Sequence, residues 1–307
     1  MQVATEPPGR LLLSTVLLAG VSAISASAIF IRMADAPGVS TALWRSLFAA
    51  SMMGAIVVGG RYLRRTPWPT LTRRDAVVCA LGGIFLGLHF WSWMTSLEYT
   101  TVASSVLFVT MNPIFVGVLA PFVTKDRVTW RLWAGILLAV SGSLVVGYDD
   151  LATGPSTSLL GNGLALLGAA AGSCYLLAGR VARRRVPLDV YATATNATSA
   201  MLLLPAVLLT GAPLTGFEPA TWGWFFLIAL IPQLVGHNSL VWALKHVSAP
   251  VVALVILAEP LGSGALAWMV FDERPTGTKL LGAAILLAGI FLASLKAKRP
   301  PTPSQTT

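Results

Sequence analysis

The chain has 307 residues, 55% of them hydrophobic and 11% charged, with 21 Lys and Arg against 12 Asp and Glu and a net charge of +9; its mean hydropathy is +0.76. A soluble domain carries about 25% charged residues, so this composition excludes an ordinary soluble fold and indicates an all-α protein that crosses a membrane many times. Cys79 and Cys174 lie inside apolar runs and suggest no disulfide framework, and neither CxxC nor HExxH occurs, so no metal and no cofactor is expected.

Residues 1–10 are polar and lead into a first apolar run, about 11–31. Ala26-Ser27-Ala28 mimics a signal-peptidase site, but about 21 apolar residues exceed the 7–15 of a signal sequence. The run also has a counterpart near 159–181, so it is expected to stay as a first helix. Nine further spans follow, at roughly 39–59, 75–97, 101–123, 128–148, 159–181, 188–210, 220–244, 248–271 and 276–296. Short connectors such as Ala36-Pro37-Gly38 and Thr66-Pro67-Trp68-Pro69 separate them. GxxxG pairs at Gly83/Gly87 and Gly168/Gly172, and Ala19/Ala23 in span 1, indicate close helix contacts. Trp68, Trp222 and Trp224 sit near span ends as interface anchors. The tail 300–307 (PPTPSQTT) is expected to be disordered.

Residues 97–142 recur at 244–289 with a constant offset of 147. Pro113 maps to Pro260, Gly117 to Gly264, Arg127 to Arg274, Gly135 to Gly282 and Gly142 to Gly289. The organisation is therefore a first repeat of five spans over 1–154 and a second over 155–299. With the N-terminus inside, 17 of the Lys and Arg fall in inside segments and 3 (Arg32, Arg274, Lys279) outside, with Arg45 within a span. Both termini are then cytoplasmic, and the basic balance records membrane insertion, with anionic lipid rather than nucleic acid as the polyanion partner. Five spans per half make the second half run upside down: Glu98 in an outside connector becomes Lys245 in an inside one. Inverted repeats of this kind place a transport pathway at their interface.

Polar groups at bilayer depth point to that pathway. Glu259 precedes Pro260 in span 9, and its mate Asn112 precedes Pro113 in span 4; each proline frees a carbonyl four residues earlier, Val109 and Ile256. Glu259 binds a cation, accepts a proton or receives a hydrogen bond from a neighbouring helix. His89 shares a helix face with Trp93, His237 shares one with Gln233, and Asn238 one with Trp242. Tyr99, Tyr175 and Asn196 complete a candidate substrate-binding set whose aromatic and polar stripe suits a ligand with an amine, a carboxylate and an apolar body. Arg45, about seven residues into span 2, either clamps a substrate carboxylate or snorkels to the outer interface.

Ten spans in two inverted halves, each with a Pro-bearing fourth span, a short charged connector and a Gly-bearing last span, resemble the EamA family of the drug/metabolite transporter superfamily. The likeness rests on Asn112-Pro113, Lys125-Asp126-Arg127 and Gly135, and on Ala258-Glu259-Pro260-Leu261, Asp272-Glu273-Arg274-Pro275 and Gly282. The aromatic third span (HFWSWM, His89 to Met94) is similar to YddG-type exporters of aromatic and other apolar amino acids. The resemblance implies a secondary exporter in a bacterial-type inner membrane. It implies alternating access around a central cavity built from spans 1, 3, 4, 6, 8 and 9, with a proton as a candidate coupling ion. Export of drugs or of another metabolite class, such as nucleotide sugars, is the alternative. A membrane-embedded enzyme or a passive channel is more remote; no GxxxxGK[ST] motif supports ATP hydrolysis.

Overall fold

In lipid every backbone polar group must be paired within the protein, which leaves helices as the answer to a chain this apolar. The computed structural model describes residues 8–146, 148, 158–272 and 274–294; the expected tail at 300–307 lies outside these. Among the described residues, eight helices are long and apolar enough to cross a membrane: span 1 (Arg10–Ala34), span 2 (Gly38–Arg64), span 3 (Arg73–Ser96), span 4 (Ser104–Val123), span 6 (Ser158–Ala182), span 7 (Leu188–Thr210), span 8 (Pro219–Ala243) and span 9 (Ala249–Val270). Spans 5 (Trp130–Val146) and 10 (Gly277–Ser294) are apolar and shorter. At 1.5 Å per residue, the 17 residues of span 5 reach roughly 26 Å, close to the hydrocarbon thickness. Large apolar side chains such as Leu159, Leu209, Phe122 and Met269 stand exposed on the spans, where lipid rather than water suits them.

Sequence sets the ends and breaks of these helices. Span 3 opens on a capping box, Thr72 Oγ1 accepting from Asp75 N (3.2 Å) and Asp75 Oδ2 from Thr72 N (3.0 Å). Span 1 is interrupted at Ala26. Spans 4 and 9 are each two half-helices, Val102–Val109 with Asn112–Val123 and Ala249–Ile256 with Glu259–Phe271, the second half in each case opening with a proline at its start. Span 8 widens into a π-helix over Ala229–His237, around Pro232.

The two halves are antiparallel copies. The first half-helix of span 9 packs on the second half-helix of span 4, and the second of span 9 on the first of span 4. Spans 3 and 6 pack together, as do their mates 8 and 1. Spans 5 and 10 meet about the same axis: Gly135 faces Gly289, the mate of Gly142, while Gly142 faces Gly282, the mate of Gly135. Only antiparallel helices related by a two-fold axis make that exchange. Lys125 and its mate Asp272 both hold the left-handed backbone, at φ 61° and 56°. The connectors after spans 2, 4, 6 and 8 share one end with the start of span 1 and the end of span 10, here the terminal end; the others form the far end.

Two of the expected interface tryptophans, Trp222 and Trp224, are half-buried near the start of span 8 and pack on neighbouring rings. Trp222 meets Trp44 edge-on at 4.6 Å and Trp224 lies 5.6 Å from Phe30, because span 8 leans on spans 1 and 2.

At Gly142 an added methyl group would overlap the backbone of Leu286, whereas Gly163 has open space around it. Gly142→Leu is expected to separate spans 5 and 10 at a cost of about 1–3 kcal/mol, lowering the melting temperature of the detergent-purified protein, and Gly163→Leu to leave it unchanged. Equal melting of the two variants would refute the close contact.

Candidate functional site

The two proline breaks cross near the middle of the fold beside a cavity of about 40 Å³. Its walls are built of repeat mates. Val109 and Ile256, Asn112 and Glu259, Trp93 and Leu240, Ser27 and Tyr175, and Ile24 and Gly172 all line it, along with His89 and His237, which are one residue out of register, and Ala169 and Leu176. Spans 1, 3, 4, 6, 8 and 9 therefore supply the whole lining, the six expected to surround a central cavity.

Each break is docked by a serine from the opposite half. Ser173 Oγ in span 6 donates to Asn112 O (3.1 Å), and Ser25 Oγ in span 1 donates to Glu259 O (3.4 Å). Both serines also bond back within their own helices, to Ala169 O (2.7 Å) and Val21 O (2.8 Å). Their register is 148, one more than the offset of the later spans, and matching Gly20 to Gly168 and Ser25 to Ser173 would have found them in the sequence.

An aromatic cluster forms one wall. His89 stacks on Trp93 (5.9 Å, 16°) and lies 6.1 Å from His237, which is 6.2 Å from Tyr175. His89 Nδ1 is 2.8 Å from Gly168 O. A carbonyl only accepts, so Nδ1 carries a proton and Nε2 is the ring nitrogen left to face other groups. Trp93 Nε1, a donor, and Asn112 Oδ1, an acceptor, are buried without partners. Glu259 is 7% exposed, and its backbone carbonyl accepts from Ser25 Oγ and Ser263 Oγ.

Arg45 lies beside this cavity and is fully buried, so the guanidinium does not snorkel to the interface. Nη2 and Nε donate to Gln233 Oε1 (2.9 and 3.2 Å), Nη1 donates to Ser27 Oγ (3.1 Å), and the group sits 3.9 Å from the centre of the Phe90 ring. Spans 1, 2 and 8 are joined by this one side chain. It reaches the cavity wall through Ser27.

Of the eleven residues singled out from sequence, the structure brings His89, Trp93, Asn112, Tyr175, His237 and Glu259 to the cavity. The other five lie elsewhere. Arg45 stands one layer behind. Asn238 turns towards span 2, its Nδ2 3.4 Å from Met53 Sδ. Asn196 is buried in span 7 and donates to Ala192 O (2.8 Å). Trp242 packs on His246, 4.6 Å away in the connector after span 8. Tyr99 occupies the turn after span 3, its backbone N–H on Ser96 O. Gln233, expected to share a face with His237, lies four residues before it in the same π-helix and is engaged by Arg45.

The terminal end is closed by a charged contact across the halves. Asp126, after span 4, accepts from Arg180 at the end of span 6 through both carboxylate oxygens (3.2 and 3.3 Å) and from Ala249 N at the start of span 9 (3.1 Å). Arg180 also donates to Leu244 O, and Arg184 to Thr124 O (2.8 Å).

Two inverted five-span halves around a shared central cavity define a membrane transporter of the drug/metabolite type. The chain belongs to the EamA-like transporter family, whose profile matches twice, over residues 11–148 and 159–295. It is similar to the uncharacterized transporter YyaM of Bacillus subtilis (25% identical, covering 83% of this chain and 84% of that one) and to an uncharacterized transporter of Archaeoglobus fulgidus (24%, 83% and 87%). The uncharacterized transporter YetK of Bacillus subtilis matches at 21% identity over 76% of this chain and 72% of its own. A protein known from its crystal structure shares the fold at a TM-score of 0.73 and 19% identity, covering 93% of this chain and 97% of its own. Family and relatives are transporters and not enzymes.

Replacing Arg45 with Met leaves Gln233 Oε1 and Ser27 Oγ without their donor in a dry interior. That is expected to cost about 1–3 kcal/mol for a buried acceptor left unpaired, seen as a lower melting temperature. The double variant Arg45→Met, Gln233→Met is expected to recover part of the loss. A single variant that melts like the parent would show that Arg45 does not hold spans 1, 2 and 8 together.

Proposed function

We propose that this transporter exports small metabolites, foremost aromatic and other apolar amino acids, by alternating access about the central cavity. The observation that carries the reading is the cavity itself: it lies where the dyad-related halves meet, and its walls combine aromatic rings with the Asn112/Glu259 pair. His89, Trp93, Tyr175 and His237 supply flat faces for an apolar body, while Glu259 and Asn112 supply acceptors for an amine. Small-molecule sites usually enclose about 300–1,000 Å³. A cavity of about 40 Å³ holds a water or two, so substrate entry requires the halves to part. The contact of Asp126 with Arg180 and Ala249 is the one that must break for the terminal end to open.

Sidedness follows from charge. Arg10, Arg61, Arg64, Lys125, Arg180 and Lys245 share the end that carries both termini, and we assign that end to the cytoplasm of a bacterial-type inner membrane. Glu259 and the two histidines are the candidate groups for proton coupling. Efflux of aromatic cations is the second reading, favoured by the single buried carboxylate among aromatic faces. Phosphorylated substrates such as nucleotide sugars fit less well, because the Arg45 guanidinium, the only one at mid-span among the described residues, is already engaged by Gln233 and Ser27.

In proteoliposomes the purified protein is expected to move Phe, Trp, Met or Thr. Trp93→Ala, His237→Ala and Glu259→Gln should each lower the flux about tenfold or more, the scale of one lost buried contact. Full flux in all three would refute the site. A rate and final accumulation indifferent to an imposed pH gradient would remove Glu259 and the histidines as coupling groups.

A further inference from the structure

The crossing of the two broken spans has an unusual surplus of oxygen acceptors. Pro113 and Pro260 lack the N–H groups that would take up the carbonyls of Val109 and Ile256. Among the described residues no other backbone or side-chain donor reaches either carbonyl. Both residues line the cavity, and so do Asn112, whose Oδ1 has no partner and which is 5% exposed, and Glu259. Four residues with a free or acidic oxygen, two from each half and related by the dyad, therefore line one small space.

We propose that this crossing is a binding site for a monovalent cationic group, held by the carbonyls of Val109 and Ile256, by Asn112 Oδ1 and by the Glu259 carboxylate. The half-helices Val102–Val109 and Ala249–Ile256 both end here, and the carboxyl end of a helix carries partial negative charge. Freed carbonyls at the breaks of discontinuous spans are suited to a cation without a shell of side chains. Carbonyl, amide and carboxylate oxygens are hard ligands that fit an alkali ion or an ammonium and not a soft metal. A charge of one is set by the site's own electrostatics. It has a single carboxylate, the Arg45 guanidinium stands one layer behind Ser27, and among the described residues no three His, Cys, Asp or Glu gather to hold a metal. About 40 Å³ accommodates an ion with a water, or one ammonium group, while the rest of a substrate would lie against His89, Trp93 and Tyr175 once the cavity widens.

The same oxygens serve a substrate's ammonium or a free alkali ion. The ammonium case rests on the amino-acid reading above; the site itself does not.

The test uses the full-length protein in detergent, with calorimetric titration and melting temperature as readouts. The probes are phenethylamine, which keeps the ammonium and lacks the carboxylate, 3-phenylpropionate, which does the reverse, and sodium chloride against N-methylglucamine chloride, whose cation is too bulky for the cavity. Phenethylamine or sodium is expected to bind and 3-phenylpropionate to bind far more weakly. Glu259→Gln and Asn112→Leu should each weaken the bound cation about tenfold. Asn112→Asp, which adds a second carboxylate at the dyad, should tighten it. Binding by phenethylamine alone identifies the substrate's ammonium, and binding by sodium alone a free ion; either supports the site. The proposal is overturned if neither cation binds, or if binding ignores all three substitutions in variants that still elute and melt as folded protein. Transport of phenylalanine without cation binding would defeat the site and leave the amino-acid reading standing, and cation binding without transport of any amino acid would do the opposite.

Discussion

A proline in the middle of a membrane helix removes one donor and leaves one carbonyl without a partner, and hydrocarbon offers nothing in exchange. This chain does so twice, at Pro113 and Pro260, in equivalent places of two copied halves. Such breaks are tolerated only inside protein or against a cavity, so spans 4 and 9 must be buried at their centres and covered by other helices. The architecture answers that demand. The two breaks cross each other, a serine from the first span of the opposite half docks each one, and the last spans of the two halves, 5 and 10, pair through glycines at one side. The cavity lies beside that crossing, lined by Val109 and Ile256 among others.

The fold is symmetric, but the centre is not. The same dyad that pairs Val109 with Ile256 pairs Asn112 with Glu259, Trp93 with Leu240 and Tyr175 with Ser27. One side of the cavity is aromatic and neutral, and the other is small and carries the carboxylate. A symmetric scaffold allows both ends to open by equivalent movements, and the unlike lining gives a bound molecule one preferred orientation. Arg45 has no counterpart of its kind in the second half. Its charge is taken up by Gln233, Ser27 and the Phe90 ring, so this deep guanidinium ties three spans together.

Most of the fold was legible in the sequence because a membrane makes the signal coarse. Runs of about 20 apolar residues mark spans, the offset of 147 marks the copy, and the loop charges mark the inversion. The pair Asn112 and Glu259 was legible for the same reason, since a polar group beside a proline at mid-span stands out against apolar neighbours. Side-chain direction was not. Trp242, Asn196 and Tyr99 are as aromatic or polar as the cavity residues, but Asn196 lies on span 7, which does not line the cavity, and Trp242 and Tyr99 lie towards span ends. Arg45 admitted two readings because its partner, Gln233, comes from span 8 and is presented by a π-helix that no simple 3.6-residue period describes. Ser25 and Ser173 escaped because spans 1 and 6 run in register 148, and each looks like an ordinary small residue of a packed helix.

The claim on which all of this rests is that the halves are inverted copies meeting at a dyad. Lys125 and Asp272 are repeat mates in the same left-handed backbone conformation, on connectors at opposite ends of the fold. With Cys79 and Cys174 replaced, a single cysteine at each position can be labelled with a membrane-impermeant maleimide in sealed right-side-out vesicles. The account predicts immediate labelling at position 272 and labelling at position 125 only after the membrane is permeabilised. Equal labelling of both positions in sealed vesicles would contradict it.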